Sequence, residues 1–369
     1  MNCQPSKYVM KYIDEYRDKV LVNKLVGQIK KATTKPISLM EVCGGHTMSI
    51  QKFGIPSLLP STIKLISGPG CPVCVSDRKY IDQAIAYARL DDVIITTYGD
   101  LIRVPGSTST LDQEKANGAD VRIVYSVLDA LKIADTNKDK KVVFLGIGFE
   151  TTAPGSAVAV INARMDGINN FYLFSSHKVM PPAMEALIDE SVKLDGYIAP
   201  GHVTAITGIS IYKNIPEKYK LGVVVSGFEP VDLLSAILML VNQIEKNEPK
   251  IEIAYTRVVK PEGNFKAQQM MEEVFELRDD WWRGLGVLPK SGLKIREKYA
   301  EFDAEAQIPV EVEPTREDKG CICGEILKGI KNPKDCKLFA KACTPENPVG
   351  ACMVSQEGSC HAYYRYNRG

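Results

Sequence analysis

The chain has 369 residues, 45% hydrophobic and 25% charged, the proportions of a globular protein with room for two or three domains and a core that needs no disulfide support. Lys and Arg number 46 against 45 Asp and Glu, leaving a net charge of +1. No overall field draws nucleic acid or an anionic membrane, and neither is expected as a partner. The opening residues turn charged without the apolar core of a signal peptide, and no run of about 18 apolar residues exists. The expectation is a cytoplasmic protein.

In chain order, residues 7–31 place apolar groups at helical spacing and end before Pro36. From Ile37 to about Leu240 short apolar runs end in glycine or polar loops and alternate with amphipathic helices. Strands are expected at Ile37–Val42, Ile63–Ser67, Val93–Thr97, Val142–Ile147, Phe171–Ser175, Gly196–Ala199 and Gly222–Ser226, and helices at Asp77–Leu90, Ser126–Ala134, Pro182–Ser191 and Val231–Ile244. The strands are nearly all apolar, as parallel strands covered on both faces are. Residues 105–118 read as a surface loop. Gly148-Phe149-Glu150 and Gly227-Phe228-Glu229 each follow such a strand, an echo that fits two similar α/β lobes. After about Asn247, charged helical stretches, Trp281-Trp282 and a Pro/Glu-rich passage lead into a Cys-rich tail. The expected fold is α/β: two similar lobes with mainly parallel sheets flanked by helices, plus a mostly helical C-terminal domain. The expected divisions are an N-terminal helix at 1–34, α/β domains at 35–140 and 141–250, and the C-terminal domain at 251–369, on which the N-terminal helix has room to pack.

The cysteines number ten, and six fall in the last 49 residues as C-x-C-x12-C-x6-C-x8-C-x7-C: Cys321, Cys323, Cys336, Cys343, Cys352 and Cys360. In a chain without a leader, such clustering points to metal or redox chemistry rather than structural disulfides. Four thiolates hold either zinc or a [4Fe–4S] cluster. The uneven spacing, with no C-x2-C, favours the cluster and leaves two thiols over as a redox pair.

Cys71-Pro72-Val73-Cys74 follows a strand and precedes a helix near Asp77. A C-x-x-C on such a turn is a redox motif, its thiolate favoured by the helix N-terminus. Cys43-Gly44-Gly45-His46 ends another strand, and its thiol and imidazole suit iron, copper or zinc. It reads equally well as a buried cysteine beside a surface histidine. In sequential α/β units, strand C-termini gather on one sheet edge. That edge would also carry Asp100, Glu150, His177, His202 and Glu229. Asp100 and Glu150 join Cys43, His46, Cys71 and Cys74 as the candidate catalytic set. Gly146-x-Gly148 lacks the rest of a dinucleotide fingerprint.

CGGHT at 43–47, GPGCPVC at 68–74, GFETTAP at 148–154 and the tail CTPENPVGACMVSQEGSCHAYY resemble the HypD family of [NiFe]-hydrogenase maturation factors over nearly the whole chain. The resemblance implies two similar α/β domains and a third bearing a [4Fe–4S] cluster. It implies a cytoplasmic, redox-active scaffold rather than a conventional turnover enzyme. With the small chaperone HypC, such a scaffold holds the iron that becomes Fe(CN)2CO, receives cyanide from HypE, and passes the group to the hydrogenase large subunit. Carried over by motif, Cys43 would be an iron ligand and Cys71 and Cys74 the redox pair of a central cleft. Cys321, Cys336, Cys343 and Cys360 would hold the cluster, with Cys323 and Cys352 as a thiol/disulfide pair beside it, as in ferredoxin:thioredoxin reductase. The family usually continues CGGHTH; here the second His is Met48, so His46 takes the imidazole role. The alternative reading is a cluster-dependent protein disulfide reductase.

Overall fold

A computed structural model describes residues 10–189, 192–316 and 318–367. It is an α/β structure with two parallel sheets flanked by helices. The first sheet contains β1 (Ile37–Glu41), β2 (Ile63–Ser67), β7 (Gly196–Pro200), β8 (Gly222–Ser226) and β9 (Ile251–Ile253), in the order β2-β1-β7-β8-β9. The second contains β3 (Val93–Thr97), β4 (Asp120–Ile123), β5 (Lys141–Gly148) and β6 (Phe171–His177), in the order β4-β3-β5-β6. Every pairing within both sheets is parallel. The apolar runs that mark β3, β7 and β8 are buried along their whole length, as expected where helices cover both faces.

The strand pairing crosses the division expected at residue 140. The chain lays down β1 and β2, moves to the second sheet for β3 to β6, and returns to add β7 beside β1. The region 141–250 therefore contributes two strands to each sheet, and β9 extends the first sheet past 250. Parallel strands need long crossovers, so sequence neighbours need not be sheet neighbours.

The helix Lys19–Ala32 is capped by Asp18, whose carboxylate accepts from Leu21 N at 2.8 Å. It packs on the helix Pro230–Lys246 rather than on the C-terminal region, and Val26 and Ile29 enter the core with Leu39 and Leu240. Each such buried side chain contributes about 1.5–3 kcal/mol. The first part of the expected N-terminal helix, residues 7–9, lies outside the described residues, as do Glu190 and Ser191 of the third. Within the expected loop 105–118 lies a helix, Leu111–Ala116, closed by a reciprocal Thr110–Gln113 capping box.

The C-terminal region is less helical than expected. Beside the helix Phe265–Val274 it holds a pair of antiparallel strands, β10 (Phe275–Trp282) and β11 (Gly286–Ile295). Trp282 is fully buried and stacks on Phe149 at 5.9 Å. Lys178, also buried, donates to the Trp281 carbonyl at 2.7 Å and pairs with Asp280 at 2.9 Å. Among the described residues no helix is long and apolar enough to cross a membrane.

Candidate functional site

Cys43 follows β1 and is the N-cap of the helix Gly44–Lys52. Two glycines let other segments press against it. A Cβ on Gly70 would lie 2.1 Å from Cys43 N, and one on Gly44 would lie 2.4 Å from Glu357 Cβ. The Gly44 amide donates to the Gly70 carbonyl at 3.0 Å. Cys43 is 3% exposed, and its Sγ lies 3.9 Å from His202 Nδ1, at the start of the helix Gly201–Thr207 after β7. The Phe228 ring, after β8, stands 4.9 Å from the His46 ring and 5.3 Å from that of His202. The ends of β1, β7 and β8 thus bring CGGH, PGH and GFE together.

Burial drives the protonation states here. His46 is pushed down to about 3, by burial and then by the neighbouring His202. His202 is pushed down to about 4 by burial. Both imidazoles are neutral at pH 7. The His46 nitrogens make no well-aligned hydrogen bond among the described residues, although the Ser226 and Gly227 backbones lie close. Burial, then the charges of Glu357 and Glu41, pushes the Cys43 thiol well up. A bound cation reverses that balance, since coordination deprotonates a thiol.

Beneath Cys43 lies a group that the motif reading passed over. Glu41 is buried, accepts from Cys43 N at 3.0 Å and from the Thr47 hydroxyl, and is pushed up to about 8 by burial. Thr47 Oγ1 lies 3.0 Å from Ser67 Oγ, which lies 2.6 Å from Ser359 Oγ. This hydroxyl chain ties the two motif loops to the tail. The one signal for Glu41 was an acidic residue closing a mostly apolar strand, Ile37-Ser38-Leu39-Met40-Glu41.

Cys71 caps the short helix Pro72–Val75, its Sγ accepting from Cys74 N at 3.2 Å. Cys71 and Cys74 are joined as a disulfide, and both are buried. Arg283, at the hairpin turn, donates to the carbonyls of Cys74 and Ser76, each at 3.0 Å. Cys74 Sγ lies 4.0 Å from the Ala351 carbonyl, next to Cys352.

In the tail, Cys321, Cys323, Cys336, Cys343 and Cys360 line one small cavity with Ile326, Leu338, Phe339 and Met353. Cys321 and Cys323 Sγ are 3.1 Å apart. Gly350 seals this ring: a Cβ there would lie 2.6 Å from Cys321 Sγ and 2.7 Å from Cys323 Sγ. Among the described residues no three His, Cys, Asp or Glu converge on a single ion. A ring of thiols in an apolar shell would suit an iron–sulfur cage, which needs sulfurs around a volume rather than about a point. Cys352 is fully buried and outside the cavity lining; it and Cys323 are separate free thiols.

Of the remaining strand-end groups, Asp100 shares a cleft with His202 and the other three lie elsewhere. Asp100, after β3, accepts from Ser355 at 2.8 Å. It lines a cleft of about 630 Å³ with Pro72, Phe149, His202 and Glu357. The Glu150 side chain does not line this cleft; one oxygen accepts from Met180 N at 2.9 Å. His177 is buried between Ser156 and Ser175, each at 3.1 Å. Glu229 is paired with Arg17.

The family described as "Hydrogenase formation hypA family" (HypD) matches residues 20–367. The chain is 46% identical to the hydrogenase maturation factor HypD of Azotobacter vinelandii, covering 97% of both chains. It is 44% identical to that of Cupriavidus necator, covering 97% of this chain and 98% of the relative. It is 47% identical to a putative hydrogenase expression/formation protein of Methanocaldococcus jannaschii, covering 95% and 98%. Identity of this level over nearly the whole length, with CGGH, GPGCPVC and the tail cysteines in the matched region, means that the chain belongs to the HypD family of hydrogenase maturation factors.

Proposed function

We propose that this protein holds and reduces the iron on which Fe(CN)2CO is assembled, sharing that iron with HypC, receiving cyanide from HypE and delivering the group to the hydrogenase large subunit. The observation that carries the reading is the continuity of three sulfur sites. Gly70 packs against the Cys43 backbone, Cys71 follows it, and Cys74 touches the tail beside Cys352. Cys43 supplies a thiolate to the incoming iron, which as a cation favours the deprotonated sulfur. The neutral His46 and His202 flank that position. Cyanide and CO are strong-field ligands, and thiolate donors suit the low-spin Fe(II) they favour. The Cys71–Cys74 pair, seen here in its oxidised disulfide form, interconverts with the dithiol by two electrons and two protons.

Cys321, Cys336, Cys343 and Cys360 are the proposed ligands of a [4Fe–4S] cluster, with Cys323 and Cys352 as the accompanying thiols. When bound, such a cluster supplies one-electron transfer. A disulfide reductase would have no need of Cys43 and the imidazoles of His46 and His202 beside it, which favours the scaffold reading.

The test is infrared spectroscopy of the protein co-purified with HypC. Native protein is expected to show CN and CO stretches. Cys43→Ala is expected to lose them while keeping the cluster's visible absorbance as a folding control. Normal bands in Cys43→Ala would place the iron elsewhere and refute the scaffold reading.

A further inference from the structure

A second recess, of about 840 Å³, opens between the start of the helix Met180–Asp189, the turn at 207–211, the helix Phe265–Val274 and the β10–β11 hairpin. It shares no lining residue with the cleft at His202. Pro181, Ile211, Met271, Phe275 and Leu293 give it apolar walls. Glu150 also lines it and is 4% exposed. Glu150 Oε1 accepts from Met180 N, but the buried Oε2 has no hydrogen-bond partner among the described residues. Toward the mouth Glu276 pairs with Lys294 at 2.8 Å and Arg296 at 3.6 Å, and Arg296 Nε donates to the Glu272 carbonyl at 2.9 Å, while Glu272 and Lys290, one acid and one base, also line the recess. The buried acceptor left unpartnered is the Glu150 carboxyl oxygen.

We propose that this recess binds a small amphipathic organic cation, its apolar body between Met271, Phe275 and Leu293 and its primary ammonium on Glu150 Oε2. The volume is that of a small-molecule pocket, which is mostly apolar with a few placed polar groups. A buried carboxyl lacking a partner is costly, and an ammonium supplies both the missing donor and the opposite charge. A neutral donor supplies only the first. Burial pushes the Glu150 carboxyl up to about 7, so near neutrality its proton passes readily to solvent when a cation binds. Nothing in this proposal draws on the iron site at Cys43, and it stands or falls apart from that reading.

The test titrates phenethylamine, and phenethyl alcohol as its neutral counterpart, into the full chain by isothermal titration calorimetry. The amine is expected to bind at least about tenfold more tightly than the alcohol, since charge-assisted hydrogen bonds are the stronger kind. Glu150→Gln is expected to abolish that preference, and Met271→Trp, which fills the recess, to abolish binding of both. Equal affinity for amine and alcohol overturns the proposal. So does a preference that survives in Glu150→Gln, or undiminished binding to Met271→Trp. The amine–alcohol comparison on the native chain decides the matter even if Glu150→Gln fails to fold.

Discussion

Gly70→Ala adds a single methyl group at the joint between Cys43 and the Cys71–Cys74 loop. In the native structure that methyl would lie 2.1 Å from Cys43 N, 2.3 Å from Cys43 Cα and 2.5 Å from Val42 C, all backbone atoms that no side-chain rotation can move. Ordinary contact begins near 3.4 Å, so the loop must retreat by about 1.3 Å. That retreat stretches the 3.0 Å bond from Gly44 N to the Gly70 carbonyl beyond hydrogen-bonding range. Overpacking of this kind costs about 1–3 kcal/mol and the lost bond about 1 more, which lowers the melting temperature by roughly 3–6 °C in a chain of this size. The control is the same change at Gly27, on the helix Lys19–Ala32, where a Cβ meets nothing within 4 Å. There Ala is expected to stabilise by about 0.5–1 kcal/mol. Thermal unfolding of both variants, with the alkylation rate of Cys43 measured alongside, reads the two signs. If Gly70→Ala melts with the native protein and its Cys43 alkylates at the native rate, the close packing of the two motif loops is wrong.

Stability is expected to fall on both sides of a mildly acidic maximum. Glu41 is raised from 4.5 to about 8, so between those values the folded chain keeps a proton that the unfolded chain has released, and each pH unit costs about 1.4 kcal/mol. Glu41→Gln, with its amide nitrogen turned to the Thr47 hydroxyl, should flatten the fall of the urea midpoint as pH rises toward about 8; an unchanged slope would assign it elsewhere. His46 and His177 are lowered from 6.5 to about 3 and His202 to about 4, so stability should fall as pH drops below about 6.5, where the unfolded histidines protonate. Arg283→Ala removes two donors from the Cys74 and Ser76 carbonyls and should cost about 2 kcal/mol or more and speed reduction of the disulfide by dithiothreitol; native kinetics would refute a clamping role. Cys336→Ser or Cys343→Ser should lose iron and acid-labile sulfide from anaerobically purified protein, whereas the Cys323→Ser/Cys352→Ser double variant should keep them; loss in the double variant would reassign the ligands.

The seven expected strands all exist, three with the same ends and the rest within about two residues, because buried parallel strands leave unbroken apolar runs. Their partners were not legible. Adjacency of β1 and β7 is set by packing across the molecule, and nothing in ISLME or GYIAP records it. β4, β9, β10 and β11 were missed because Asp, Arg, Glu or Lys interrupt them and dilute the apolar signal. Cys43, Cys71 and Cys74 announced themselves through glycines placed where other backbone must approach. Glu150 did not: position at a strand end suggested the same edge as Cys43, but in the turn after β5 Phe149 lines the cleft and Glu150 the other recess.

The interleaved strand order has a consequence for synthesis. Ser38 N bonds to the Asp195 carboxylate across 157 residues, and β1 cannot gain its second neighbour until β7 has left the ribosome. The four strands of the other sheet lie in one unbroken stretch, 93–177, and can close first. Non-local pairing of this kind is slow because loop closure precedes any gain from contact. The helix Ser359–Tyr366, which packs on the helix bearing His46 and bonds through Ser359 to Ser67, arrives later still. The pocket around Cys43 is thus among the last parts of the nascent chain to be enclosed.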